Sequence, residues 1–165
     1  MALDDVSCLL HLPIDGMLLS HESITRDDAM DLMVNHLGSD PGDALVEVTK
    51  TKGAHCRFGY LKRIFKERLL QQLPLANEYG VTEEVRGLRD QAVRIYLLYL
   101  VGISLITDKS QNIVDVVYLR YFRDLDVVAD YSWRAAALAR LYRELNNASY
   151  WNCGQESGYL TLLQV

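Results

Sequence analysis

The sequence predicts a mainly α fold: a single multi-helical globular domain with a short extended segment near residues 14–19. Three observations carry that prediction. Apolar residues recur at helical spacing in long stretches, above all Phe58, Leu61, Ile64, Phe65 and Leu69, and then Val85, Leu88, Ala92, Ile95 and Tyr99. Capping residues (Thr25, Asp40 before Pro41, Thr82) stand where such stretches begin, and Gly38 stands where one ends. The composition, 50% hydrophobic and 24% charged over 165 residues, is that of one globular domain with a core of its own.

Taken in order, residues 3–12 read as a short helix closed by Pro13 and the turn at Asp15 and Gly16, and Met17 to Leu19 as a brief extended piece. Thr25 is placed to cap a helix with Asp27 and Asp28 in its first turn, where carboxylates suit the helix dipole. That helix is expected to reach Leu37 and stop at Gly38. Asp40 with Pro41 at the first helical position predicts a second helix to about Val48, and KTKG at 50–53 a polar connector. From Phe58 the spacing predicts a helix to about Gln72, ahead of Pro74, with Lys62, Arg63 and Lys66 together on one flank of its apolar stripe. Residues 72–82 read as a loop and as the weak joint of the chain.

Thr82 is expected to cap the longest helix, its first half facing solvent and its second half, apolar on nearly every side after Ile95, crossing the core. Asp108 to Gln111 reads as a turn. Residues 114–122 carry strand-like side chains, but the stretch is short, and its flanking acids, together with the resemblance described below, favour helix. Asp130 or Ser132 is placed to cap a last helix with Ala137, Leu138, Leu141, Tyr142 and Leu145 inward, and a further helix is expected to start after Gly154.

The net charge of −5 is unevenly distributed. Residues 1–47 hold ten acids against Arg26 alone, whereas 48–68 hold seven bases against Glu67 alone. An acidic lobe beside a basic segment marks Lys50, Lys52, Arg57, Lys62, Arg63 and Lys66 as candidate contacts to a partner or to nucleic acid. The same cations could instead dock on residues 1–47 of their own chain or on a protein partner, and the acidic total opposes phosphate over most of the surface.

Other chemistry is poorly supported. Cys8, Cys56 and Cys153 are few, odd in number and far apart, which reads as reduced thiols in an intracellular protein. The start MALDDVSCLLHLP has acids where a signal peptide needs bases, and the longest uncharged apolar run, Ile95 to Thr107, is too short to span a membrane. Cys8 with His11 has zinc-like spacing, but the adjacent His55 and Cys56 point apart, so no metal is expected. GQESG at 154–158 puts Ser157 one place late for a nucleophile elbow, and no phosphate-cradling glycine loop is present. Asp124, Asp126 and Asp130 read as helix breakers and caps, and the ten tyrosines chiefly as core residues. Neither an enzyme nor a cofactor is expected.

Four blocks in order carry a resemblance: LDDVSCLLHLPIDG at 3–16, GAHCRFGYLKRIF at 53–65, RIYLLYLVGISLITDKS at 94–110, and 113–145 with its RDLD and YSW. The chain resembles the plant mobile domain family, the group of MAIN-LIKE and MAINTENANCE OF MERISTEMS proteins. The resemblance implies a helical module without a catalytic motif, spread partly by transposable elements. It also implies a nuclear role in meristem maintenance, genome integrity and transposon silencing, together with a phosphatase-seven-like partner. The "aminotransferase-like" label sometimes attached to the domain finds no context here for a cofactor-binding lysine. Family members extend further on both sides, so these 165 residues are expected to be an internal portion of the domain.

Overall fold

The computed structural model describes residues 15–105 and 112–148. The expected helix at 3–12, the turn at 108–111 and the helix start after Gly154 lie outside them. Helix α1, Arg26–Leu37, begins as its sequence requires. The Thr25 hydroxyl accepts the Asp28 N–H at 3.1 Å, and the Asp28 carboxylate accepts the Thr25 N–H at 3.1 Å, closing a capping box. It ends at Gly38, whose φ of 65° is left-handed, and Ser39 N–H returns to the Met33 carbonyl. Helix α2, Pro41–Lys50, is capped by the Asp40 carboxylate, which accepts from Gly42 and Asp43 N–H.

The polar connector turns through Lys52, at φ 57°, and leads into strand β1, His55–Arg57. β1 pairs antiparallel with β2, Ile113–Asp115, in the register His55↔Asp115, Cys56↔Val114, Arg57↔Ile113. Helix α3, Phe58–Tyr79, follows β1 directly, and α4, Glu83–Leu100, packs back along it. At its end α4 widens into a π-helical turn, Val101–Leu105. There a Cβ on Gly102 would lie 2.6 Å from the Phe58 ring and 2.9 Å from Val114 Cβ, so only glycine lets the turn pass so close to the sheet.

A 3-10 helix, Val116–Phe122, leaves β2 and runs through the core, with every residue except Arg120 buried. Asp115 caps its start through Val117 N–H, and Arg94 of α4 closes its end by donating to the carbonyls of Phe122 (2.8 Å) and Arg123 (3.0 Å). A second 3-10 turn, Val128–Asp130, precedes helix α5, Trp133–Ala148. Met17 is strapped across the entry to α5: its N–H donates to the Asp130 carbonyl and its carbonyl accepts from Ser132 N–H, both at 2.8 Å. The extended segment expected near 14–19 is this parallel bridge.

Four expectations are corrected. The helix expected to stop near Gln72 continues to Tyr79 with Pro74 inside it, so most of 72–82 is helix and not loop. Pro74 removes one intrahelical donor, but Leu70, Leu73 and Pro74 are all exposed, and water can serve the carbonyl left over. This makes α3, at 22 residues, the longest α-helix among the described residues, in place of the helix that Thr82 caps. The 114–122 stretch is strand for its first two residues and helix only afterwards, because Val114 and Asp115 pair with β1. Beyond Ile95 the wall of α4 is not buried all round, since Tyr96 is 50% exposed.

Two side chains at the start of α5 are tested directly. Trp133 is 6% exposed, stacks on Phe122 with centroids 5.3 Å apart, and donates its Nε1–H to the Val128 carbonyl at 2.8 Å. Trp133→Ala is expected to cost about 3–5 kcal/mol in chemical denaturation. Trp133→Phe, which leaves that carbonyl unserved, should cost about 1–2 kcal/mol. Arg134, also buried, has Nε and Nη1 without a hydrogen-bond partner among the described residues. Arg134→Met keeps the stem and removes the buried charge, so its melting temperature should match or exceed that of the parent. A clear drop would reveal an acceptor for Arg134.

Candidate interaction surface

The six cations singled out by the charge pattern do not form one patch. Arg57 ends β1 and is the N-cap residue of α3, and it is committed inward. Its Nε and Nη2 donate to the two oxygens of Glu47 at 2.8 and 2.9 Å, and its backbone N–H donates to Oε1 at 2.9 Å. Glu47 sits on the inner face of α2, with a side chain only 2% exposed against 45% for Arg57. Burial pushes the Glu47 carboxyl up, but the hydrogen bonds and charge of Arg57 outweigh it, and the group is held below the usual carboxylate range.

Arg63 is also engaged. Its guanidinium donates to Asp43 at 2.6 Å and Glu67 at 2.8 Å, and lies over the Tyr60 ring at 5.2 Å. Arg68, in the same basic segment, donates to the carbonyls of Leu37 and Gly38 and so closes the end of α1. The basic segment thus docks on acids and carbonyls of the preceding part of its own chain, one of the arrangements the charge pattern allowed. Lys50, Lys52, Lys62 and Lys66 remain exposed, and Lys50, Lys52 and Lys66 form no ion pair among the described residues.

The expected single flank of Lys62, Arg63 and Lys66 is therefore corrected. At 100° per residue Arg63 turns toward α2 while Lys62 turns toward α4, where its Nζ lies 5.3 Å from the Tyr99 ring centre. On the α2 side, Lys50, Arg57 and Arg63 line a cleft of about 490 Å³, but Asp43 and Glu47 line it too and balance the charge. On the α4 side, Lys62 borders a pocket of about 190 Å³ walled by Leu61, Phe65, Ile95, Tyr96 and Tyr99. Leu69, Leu73, Val93 and Tyr96 are exposed along the same hairpin, with Phe65 and Tyr96 rings 6.2 Å apart. Helical spacing places Phe65, Leu69 and Leu73 in one row, so the hairpin carries an apolar strip with Lys62 and Lys66 beside it.

The sequence reading misses this strip because it counts Leu69 in the helix's apolar stripe and ends the helix near Gln72, one residue short of Leu73. It missed the role of Glu47 because its partner lies ten residues away in another element. The signal for the strip was present in the helical spacing of Leu69 and Leu73.

The remaining candidates are structural or fall outside the described residues. Cys56 is fully buried, and desolvation pushes its thiol well up, which leaves it unreactive. Among the described residues no three His, Cys, Asp or Glu gather as a metal site, and no helix is long and apolar enough to cross a membrane. Asp124 accepts from Asp126 N–H in a tight turn. Tyr118 and Tyr121 are core residues as expected, whereas Tyr96 and Tyr142 are exposed. Cys8, His11 and the GQESG stretch lie outside the described residues.

The plant mobile domain family model matches residues 1–165. Over 99% of its length the chain is 35% identical to Protein MAIN-LIKE 1 of Arabidopsis thaliana, and it covers 29% of that protein. It is 30% identical to Protein MAINTENANCE OF MERISTEMS of the same plant, again over 99% of the chain and 30% of the relative. A Serine/threonine-protein phosphatase 7 long form homolog is 33% identical over the whole chain, which spans 11% of it. The chain thus spans less than a third of the relatives it matches. No solved structure matches it.

Glu47→Ala tests the central ion pair. It should cost about 2–3 kcal/mol at pH 7, less than a fully buried pair because Arg57 can regain water. With the folded carboxyl held low, the contribution is present above the ordinary glutamate range and lost as pH falls through the lowered value. The stability gap between parent and variant, followed by urea titration from pH 7 downward, should therefore narrow in acid.

Proposed function

The chain belongs to the plant mobile domain family, and we propose that it is a non-enzymatic interaction module that receives a protein partner on the α3–α4 hairpin. The observation that carries this reading is the apolar strip. Leu69, Leu73, Val93 and Tyr96 stand exposed along the hairpin, Tyr96 at the wall of an apolar pocket that Lys62 borders. Such a strip, apolar in the middle and charged at its border, has the anatomy of a protein interface. We place the module in a nuclear complex that silences transposons and maintains meristems, together with a phosphatase-seven-like protein. The likeness to MAIN-LIKE 1, to MAINTENANCE OF MERISTEMS and to a phosphatase 7 long form homolog supports that setting.

Nucleic-acid binding by the basic segment is the competing reading, and the geometry weakens it. Arg57, Arg63 and Arg68 are held by the chain itself. What remains is four lysines divided between the end of α2 and the outer side of α3.

A paired experiment separates the two readings. Leu73→Ser with Tyr96→Ser alters exposed positions and should leave the melting temperature nearly unchanged. Capture of a phosphatase-seven-like protein from plant nuclear extract should fall by about 30-fold, the loss of a single interface hot spot. Changing Lys50, Lys52, Lys62 and Lys66 to Gln should leave DNA affinity weak, with little change in its salt dependence. Submicromolar DNA binding at physiological salt that these four substitutions abolish would overturn the protein-docking reading.

A further inference from the structure

The α3–α4 hairpin carries the shape and charge of its partner as well as a place for it. Its helices run antiparallel, with the Phe65 ring beside Tyr96 and Lys62 on Tyr99. Carried about two turns further, that pairing sets Arg89 of α4 about level with Leu73 of α3. The exposed strip therefore runs from the pocket at Phe65 and Tyr96, past Leu69 and Val93, to Leu73. From Lys62 to Leu73 it is about 16 Å long, or about three turns of helix.

The border of the strip has one sign. Lys62 stands at the pocket, Lys66 follows on α3, and Arg89 stands on α4; all three are exposed. None of them forms an ion pair among the described residues. The carboxylates of the hairpin lie elsewhere. Helical spacing turns Glu67 and Glu78 to the far side of α3, Glu67 onto Arg63, and Glu83 is taken by Arg86. Glu84 and Asp90 lie about 100° or more round α4 from Arg89 and point away from α3. An acidic partner is matched by this border. A second copy docked hairpin to hairpin would set the three cations against their own kind, which costs affinity.

The backbone narrows the shape. Both walls are helices, whose N–H and C=O groups are paired with one another. An extended peptide would find no edge to pair with and would leave its own backbone unserved. A helix brings its backbone already paired and needs only side chains that fit the groove between α3 and α4.

We propose that the hairpin receives an acidic amphipathic helix of about three turns. One large apolar side chain enters the pocket walled by Leu61, Phe65, Ile95, Tyr96 and Tyr99. Further apolar side chains cover Leu69 and Leu73, and carboxylates on either flank face Lys62, Lys66 and Arg89. This rests on the reading of the hairpin as a protein-docking surface and adds the partner's form and charge to it.

Two peptides stapled into helices test this by fluorescence anisotropy with the whole chain. Both carry Leu at i, i+4 and i+7; one is flanked by Glu and the other by Lys. The Glu peptide is expected to bind saturably in the micromolar range, about tenfold more tightly than the Lys peptide, since three exposed pairs each contribute about twofold. Changing Lys62, Lys66 and Arg89 together to Glu should reverse that order while the melting temperature holds, because all three are exposed. A Glu peptide of the same composition with its leucines dispersed should bind at least about tenfold more weakly, which separates docking from charge alone. The inference fails if the Lys peptide binds as tightly as the Glu peptide, if the triple substitution leaves their order unchanged, or if dispersing the leucines changes nothing. Self-association that Leu73→Ser removes would assign the hairpin to a second copy and overturn it too. If the triple variant still captures the phosphatase-seven-like protein that Leu73→Ser with Tyr96→Ser loses, the docking reading stands and the acidic helix alone is wrong. Capture retained by both variants overturns both.

Discussion

The grip of Glu47 on Arg57 is the constraint from which most of the architecture follows. One buried carboxylate on α2 holds both the guanidinium and the backbone N–H of the residue that ends β1 and starts α3. Fixing Arg57 fixes the register of β1 against β2, and with it where the 3-10 helix enters the core. Replacing such a pair with apolar residues can be energetically neutral, so its main contribution is to orientation. An apolar pair could fill the same space without specifying which way the chain leaves. Arg63 on Asp43 and Arg68 on the end of α1 repeat the pattern about two and three turns further on. The contrast between an acidic first third and a basic segment is thereby resolved largely within the fold.

Features governed by neighbouring residues were legible in the sequence. Thr25, Gly38, Asp40 with Pro41, and Thr82 each act where their local chemistry placed them, because a cap needs only a side chain and an N–H two or three residues away. Features decided by remote partners were not. Three-residue strands carry almost no pattern of their own, and β1 finds β2 only after some sixty intervening residues. Pro74 misled for a related reason: its cost depends on whether the orphaned carbonyl is wet, which follows from what packs on α3 and not from the residues around it. The cations could be counted from sequence, but which would be held internally depended on where Asp43 and Glu47 came to rest.

The fold therefore divides its surface. The α2–α3 side is held by internal ion pairs, and the α3–α4 hairpin presents apolar side chains to solvent. On the reading proposed above, a module whose charged side is satisfied internally can stay folded beside different neighbours while offering the hairpin to each.

The strap of Met17 across the entry to α5 bears on how the chain is made. Both of its hydrogen bonds reach residues roughly a hundred positions downstream, so during synthesis Gly16 and Met17 leave the ribosome long before their partners exist. At about 5–20 residues per second, that wait is on the order of ten seconds. In that interval α1 to α4 can assemble from local contacts, whereas the edge that Met17 closes must stay open. The Met17 segment, translated before α1 to α4, is thus among the last parts to be secured, and a nascent chain stalled before Tyr131 would expose that edge to chaperones.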